Sequence, residues 1–153
     1  MRQVTILALD LGTTTGYAIG GEAIQSGTMR WAKRGAAEDA GARFRRFSAW
    51  LRETITENGV SRVVYEDVRR HNATVAAHIY GGFKYALAAI CGELGVEYEG
   101  VGVGVIKKHA TERGNASKLE MLAAANARGW QPADDNEADA LWLLDYVLQE
   151  VTA

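Results

Sequence analysis

The sequence has a single cysteine, Cys91, among its 153 residues. One thiol excludes an internal disulfide, and its alanine-rich setting reads as that of a small buried apolar residue. A reducing cytoplasm is the compartment this suits. Long apolar runs are missing as well: none is long or uninterrupted enough to cross a bilayer, so no membrane association is expected. Met1 to Gly12 leads straight into strand-like sequence and lacks the basic region, apolar block and small-residue cleavage site of a secretory leader. No internal repeat, linker or low-complexity tract divides the chain. Net positive charge is also lacking. The formal charge is −2, which argues against a uniformly basic nucleic-acid binder but leaves room for local clusters of either sign.

What is present is the material of a folded domain. Hydrophobic residues make up 48% and charged residues 24%, a globular rather than disordered balance. The length suits one domain over residues 1–153 with a core of its own.

Apolar periodicity and turn residues give an order of elements. Val4 to Asp10 is an apolar run ending in an acid and reads as a buried strand. Gly16 to Ile19 and Ala23 to Arg30 are two further strands around Gly20-Gly21, making an antiparallel meander. Ala36 to Asn58 reads as a helix with Ala40, Phe44, Phe47, Leu51 and Ile55 on one face, stopped near Gly59. A strand ending near Glu66 lies within Ser61 to Val68. Thr74 to Leu94 is a second helix, with Val75, Ile79, Phe83, Leu87, Ile90 and Leu94 as its stripe. Val96 to Val101 is a fifth strand and Val105 to His109 a short helix. Helices follow at Ala116 to Arg128 and Asn136 to Val151, the last capped by Asp134 or Asp135. The main elements run β-β-β-α-β-α-β-α-α. They define an α/β domain whose later strands run parallel to the first.

Three acids stand out by position. Asp10 ends the first strand, Glu66 ends the fourth, and Asp139 lies in the first turns of the last helix. Adjacent parallel strands end at one sheet edge, where sites form in α/β folds. Carboxylates gathered there repel one another unless divalent cations neutralise them, and oxygen-only ligands suit Mg²⁺ or Mn²⁺. Asp135 precedes Asp139 by one turn, about 6 Å along the axis, although it competes for the role of N-cap. Asn136 flanks the same face, and Glu137 points elsewhere, toward solvent. Glu66 and Asp67 point to opposite faces of their strand; Val64 shares the face of Glu66, which favours Glu66 for a buried site.

Taken in order, Asp10-Leu11-Gly12-Thr13-Thr14-Thr15-Gly16-Tyr17, Val64-Tyr65-Glu66, Asn115-Ala116-Ser117-Lys118 and Asn136-Glu137-Ala138-Asp139-Ala140-Leu141 resemble the RuvC family of Holliday-junction resolvases. The match spans almost the whole chain, in the form of the compact bacteriophage variants. The resemblance implies an RNase H-like fold, with a five-stranded mixed sheet flanked by helices, in a bacterial or phage-infected cytoplasm. It implies a homodimer that cuts branched DNA, four-way junctions above all, by two-metal in-line hydrolysis to 5′-phosphate and 3′-hydroxyl ends. Two Mg²⁺ ions per site are implied, with Mn²⁺ as substitute. Asp10, Glu66 and Asp139 match three of the family's four acidic metal positions. The fourth is Asn136 here, an uncharged ligand, with Asp135 able to supply the missing charge. Lys107 and Lys118 match basic residues near the scissile phosphate. An aromatic that follows the second acid in many members is replaced by Arg69-Arg70-His71-Asn72.

Arg69, Arg70, Lys107, Lys108 and Lys118 are therefore the expected nucleic-acid contacts. The arginines of the first helix read as solvated surface. Trp31, Trp50, Trp130 and Trp142 read as core or interface residues. The Gly81-Gly82 helix is the candidate dimer surface, although burial on its own sheet explains its stripe equally well. Two rival readings remain. The Asp10 motif also resembles the phosphate loop of actin-like ATPases and sugar kinases, which need two such domains and a second loop. A domain that binds DNA or RNA–DNA hybrids, with broader cutting or none, is the other.

Overall fold

The computed structural model describes residues 3–33 and 38–152. Its strands are β1 (Ile6–Asp10), β2 (Thr14–Gly20), β3 (Ile24–Arg30), β4 (Arg62–Asp67) and β5 (Glu97–Gly102). Its helices are α1 (Ala42–Asn58), α2 (Thr74–Leu94), α3 (Val103–Thr111), α4 (Lys118–Arg128) and α5 (Asp135–Thr152). The strands form a five-stranded sheet in the order β3-β2-β1-β4-β5. The meander of β1, β2 and β3 is antiparallel, whereas β1, β4 and β5 run parallel.

The central strand is apolar on both faces because helices cover both. Residues alternate across a strand with period two. Ile6 and Ala8 of β1 and Val64 of β4 pack with Ile106, Met121, Ala125 and the buried side of α5. Leu7, Leu9, Val63 and Tyr65 pack on the other face with Phe47, Leu51, Phe83 and Leu87 of α1 and α2. The same alternation carries Asp10 and Glu66 to the α5 face. The register Ala8↔Val64 and Leu9↔Tyr65 brings those two acids side by side at the next step.

The start of α1 differs from the periodicity. Ala36 and Ala37 fall outside the described residues, and Glu38 to Gly41 is not helical. The Asp39 carboxylate accepts the Gly41 N–H at 3.0 Å, and the Ala42 N–H bonds to the Asp39 carbonyl at 3.2 Å. A short acidic side chain thus takes backbone donors into a turn, and the helix waits until Ala42. The stripe of α2 is buried only in its middle, since Val75 is 67% exposed. Gly82 lets the Phe44 ring of α1 approach; a Cβ there would lie 2.5 Å from it, whereas Gly81 faces open space.

Helix α5 crosses β1 and β2 and sets the site. Asp134 is its N-cap, its carboxylate accepting the Glu137 N–H at 2.8 Å. Thr28 on β3 donates to that carboxylate at 2.9 Å. Glu137, expected to face solvent, instead accepts from the Ser26 hydroxyl at 2.7 Å and the Ala133 N–H at 2.9 Å. Beneath this end lies Gly16, where a Cβ would stand 1.9 Å from the Asn136 carbonyl oxygen. The helix therefore rests directly on strand backbone. No helix among the described residues is long and apolar enough to cross a membrane.

Candidate metal centre

Asp10, Glu66 and Asp139 converge at the carboxyl ends of β1 and β4, beneath the first turns of α5. One carboxylate oxygen from each lies within 4.8 Å of the others. With Leu11, Val68, His71, Ala76, Tyr80, Lys118, Asp135 and Asn136 they line a cleft of about 390 Å³.

Burial and mutual repulsion both act against ionisation here. Asp10 is held well above the ordinary carboxylate range, by burial first and then by Glu66, Asp139 and Asp135. Burial raises Glu66, while Lys107 and Lys118 oppose the shift. Asp139 is pushed up to about 7 by burial, with Glu66 and Asp135 adding to it. A divalent cation would reverse all three shifts by favouring the charged forms. The donors are hard carboxylate oxygens within 4.8 Å of one another, so the residues fit a hard divalent cation.

The cleft also brings together the residues around this triad. Asp135 is the first residue of α5 rather than its cap, because Asp134 takes that role. Its carboxylate is thus left for the cleft, 3.6 Å from the Lys118 amino group. Asn136 lines the same wall. Lys118 opens α4 directly after a capping box: Ser117 accepts the Glu120 N–H at 3.1 Å, and the Glu120 carboxylate accepts the Ser117 N–H at 3.4 Å. The Lys118 side chain is 84% exposed at the cleft mouth. Lys107 on α3 is near enough to lower Glu66 and Asp139 electrostatically, whereas Lys108 is on the exposed side of α3. Arg69 and Arg70 line a neighbouring hollow with Val68, Gly102 and Val103. Arg69 also meets Asp67 at 3.4 Å. Asp67 indeed points away from Glu66, toward Lys84 at 3.6 Å.

Two supports were not visible in the sequence. The Tyr80 hydroxyl donates to the Glu66 carbonyl at 2.8 Å and accepts the Val68 N–H at 3.1 Å, pinning the chain where it leaves β4. Burial pushes this phenol up to about 12, so it stays a donor at neutral pH. Its ring also packs on His71, 5.0 Å between centroids. Tyr80 lies beside the apolar stripe read from the sequence, and only the fold reveals the polar contacts of its hydroxyl. Thr15 braces the turn after Asp10, donating to the Gly12 carbonyl at 2.8 Å and accepting from the Trp31 indole N–H at 2.8 Å. Trp31 is thereby a core residue, only 3% exposed. Thr15→Val should leave a buried indole N–H without an acceptor and destabilise the fold by about 1–3 kcal/mol. Urea denaturation measures this, and an unchanged midpoint would remove Thr15 from the account.

The sequence matches no protein-family model and no curated protein. Its fold matches several solved structures. Thermus thermophilus RuvC in complex with a Holliday junction substrate superposes with a TM-score of 0.76 at 20% identity, over 91% of this chain and 89% of that one. A second Thermus thermophilus RuvC structure gives 0.67 at 24% identity, over 91% and 90%. The yeast mitochondrial Holliday junction resolvase Ydc2 gives 0.65 at 13% identity, over 91% and 75%. The class defined by sheet and site is thus the RNase H-like fold with an acidic edge. Within that class the chain has the form of the RuvC structures across about nine-tenths of its length.

Proposed function

We propose that this protein is a Mg²⁺-dependent endonuclease for branched DNA, most specifically a Holliday-junction resolvase. The observation that carries the reading is the triad of Asp10, Glu66 and Asp139, with oxygens within 4.8 Å at the ends of parallel strands, in a fold shared with RuvC bound to a junction. A pair of Mg²⁺ ions, for which Mn²⁺ substitutes, would supply Lewis acidity for in-line attack of water on a phosphodiester, leaving 5′-phosphate and 3′-hydroxyl ends. Asp10, Glu66 and Asp139 would hold them, with Asp135 or Asn136 as the fourth corner.

The protein's own groups do the rest. Lys118 and Lys107 offset charge that develops on the phosphate beside the acids. Arg69, Arg70 and Lys108 grip the flanking backbone, so binding weakens as salt rises. Tyr80 holds Glu66 in register by its backbone. A homodimer presents two such clefts to the two-fold symmetric junction. Its surface includes the outer side of α2, where Val75 and Tyr85 are exposed and Gly81 faces open space.

A substrate panel tests the reading: four-way junction, flap, replication fork, linear duplex and RNA–DNA hybrid, each with Mg²⁺. Paired cuts at symmetric positions in the junction are expected. Preferential cutting of RNA in the hybrid would make the protein a ribonuclease, and binding without cutting would make it a recognition module.

A further inference from the structure

A second polar cluster lies outside the cleft, where α3, α4 and α5 meet. Asp145 of α5 is at its centre. His109 Nε2 lies 2.7 Å from its carboxylate. Arg128, the last residue of α4, donates to it at 3.0 and 3.4 Å, and Gln149 donates at 3.2 Å. The His109 ring packs edge-on against Trp142 and Tyr146, with centroids 5.8 and 5.5 Å away. One carboxylate thus joins the helix of Lys107, the helix opened by Lys118 and the helix of Asp139.

Helix α3 buries little of its own surface. It spans nine residues, has one buried side chain, Ile106, and has no side-chain N-cap bond. Among the described residues, His109 to Asp145 is the one side-chain hydrogen bond joining α3 to another helix. At about 100° per residue, Lys107 and His109 fall on opposite flanks of Ile106. Ile106 thus sits between them on the buried face of α3.

We propose that Asp145, acting through His109, is a positioning residue that sets the roll of α3 against α5 and so the placement of Lys107 relative to Asp139. This rests on the nuclease reading. Misplacing a charged group by about 1 Å is enough to cost on the order of a hundredfold in rate, without loss of the fold.

The test is single-turnover cleavage of a four-way junction by His109→Phe and His109→Gln, each alone and with Lys107→Ala. Phenylalanine keeps the ring packing and loses the hydrogen bond, whereas glutamine keeps a donor. His109→Phe should lower the maximal rate by about tenfold or more, with less than about a twofold change in half-saturating junction concentration. His109→Gln should recover most of the rate. In the Lys107→Ala background His109→Phe should cost nothing further, since the two act on one step. A wild-type rate in His109→Phe, or a full additive loss beside Lys107→Ala, overturns the proposal. If His109→Phe does not fold, Asp145→Asn takes its place in the same cycle. An inactive wild-type protein instead overturns the nuclease reading, so the two failures are distinct.

Discussion

Asp139→Asn should make the metal-free protein more stable and at the same time remove its metal-dependent cleavage. The sign follows from the site. Asp139 ionises near 7 in the fold against 3.8 for its free side chain, so the native state binds the proton more tightly than the unfolded chain. Its contribution is complete below about pH 4, is lost as pH climbs toward 7, and is flat above that. Asparagine keeps the shape and never ionises. The variant should therefore gain on the order of 2 kcal/mol over the wild type at pH 8 without metal, and the gap should close toward pH 4. Mg²⁺ should reverse the order by stabilising the wild type more. Thermal melting across pH, with EDTA or Mg²⁺, measures all of this. A metal-free wild type as stable as the variant at pH 8 would contradict the electrostatic frustration assigned to the triad.

Gly16→Ala should have the largest effect of any change outside the acids. The added methyl would lie 1.9 Å from the Asn136 carbonyl oxygen and 2.3 Å from its carbon. Both are backbone atoms, so no side chain can turn aside, and the start of α5 must lift. Overpacking of this kind costs about 3 kcal/mol, and the displaced Asp139 should lower cleavage about a hundredfold. Gly92→Ala in α2 is the control, because nothing lies within 4 Å of that Cβ. It should leave cleavage unchanged and stabilise α2 by up to about 1 kcal/mol. Equal behaviour of the two variants would mean that α5 does not rest on β2 as described.

The triad was legible because strand periodicity and fold order act together. Ile6, Ala8 and Asp10 share one face by alternation alone, as do Val64 and Glu66, and parallel pairing brings the two acids to one edge. The cap of α5 was not legible, because Asp134 and Asp135 are equally good caps as sequence. The Glu137 N–H on the Asp134 carboxylate assigns the cap, and the hydroxyls of Thr28 and Ser26, on a strand more than a hundred residues earlier, hold Asp134 and Glu137 in place. The start of α1 was hidden for a similar reason, since the turn made by Asp39 is invisible to apolar periodicity. The role of Tyr80 depends on the path of the chain after β4, which no local pattern encodes.

The most direct test of the metal-centre account compares the wild type with Asp10→Asn on a four-way junction at pH 8, with 10-fold steps of Mg²⁺ concentration and an EDTA control. Asp10 is the most enclosed acid of the triad and its loss leaves the fold's backbone contacts in place. The account predicts Mg²⁺-dependent cutting by the wild type, none in EDTA, and a loss of at least about a thousandfold in the folded variant. Full Mg²⁺-dependent cutting by Asp10→Asn would contradict it.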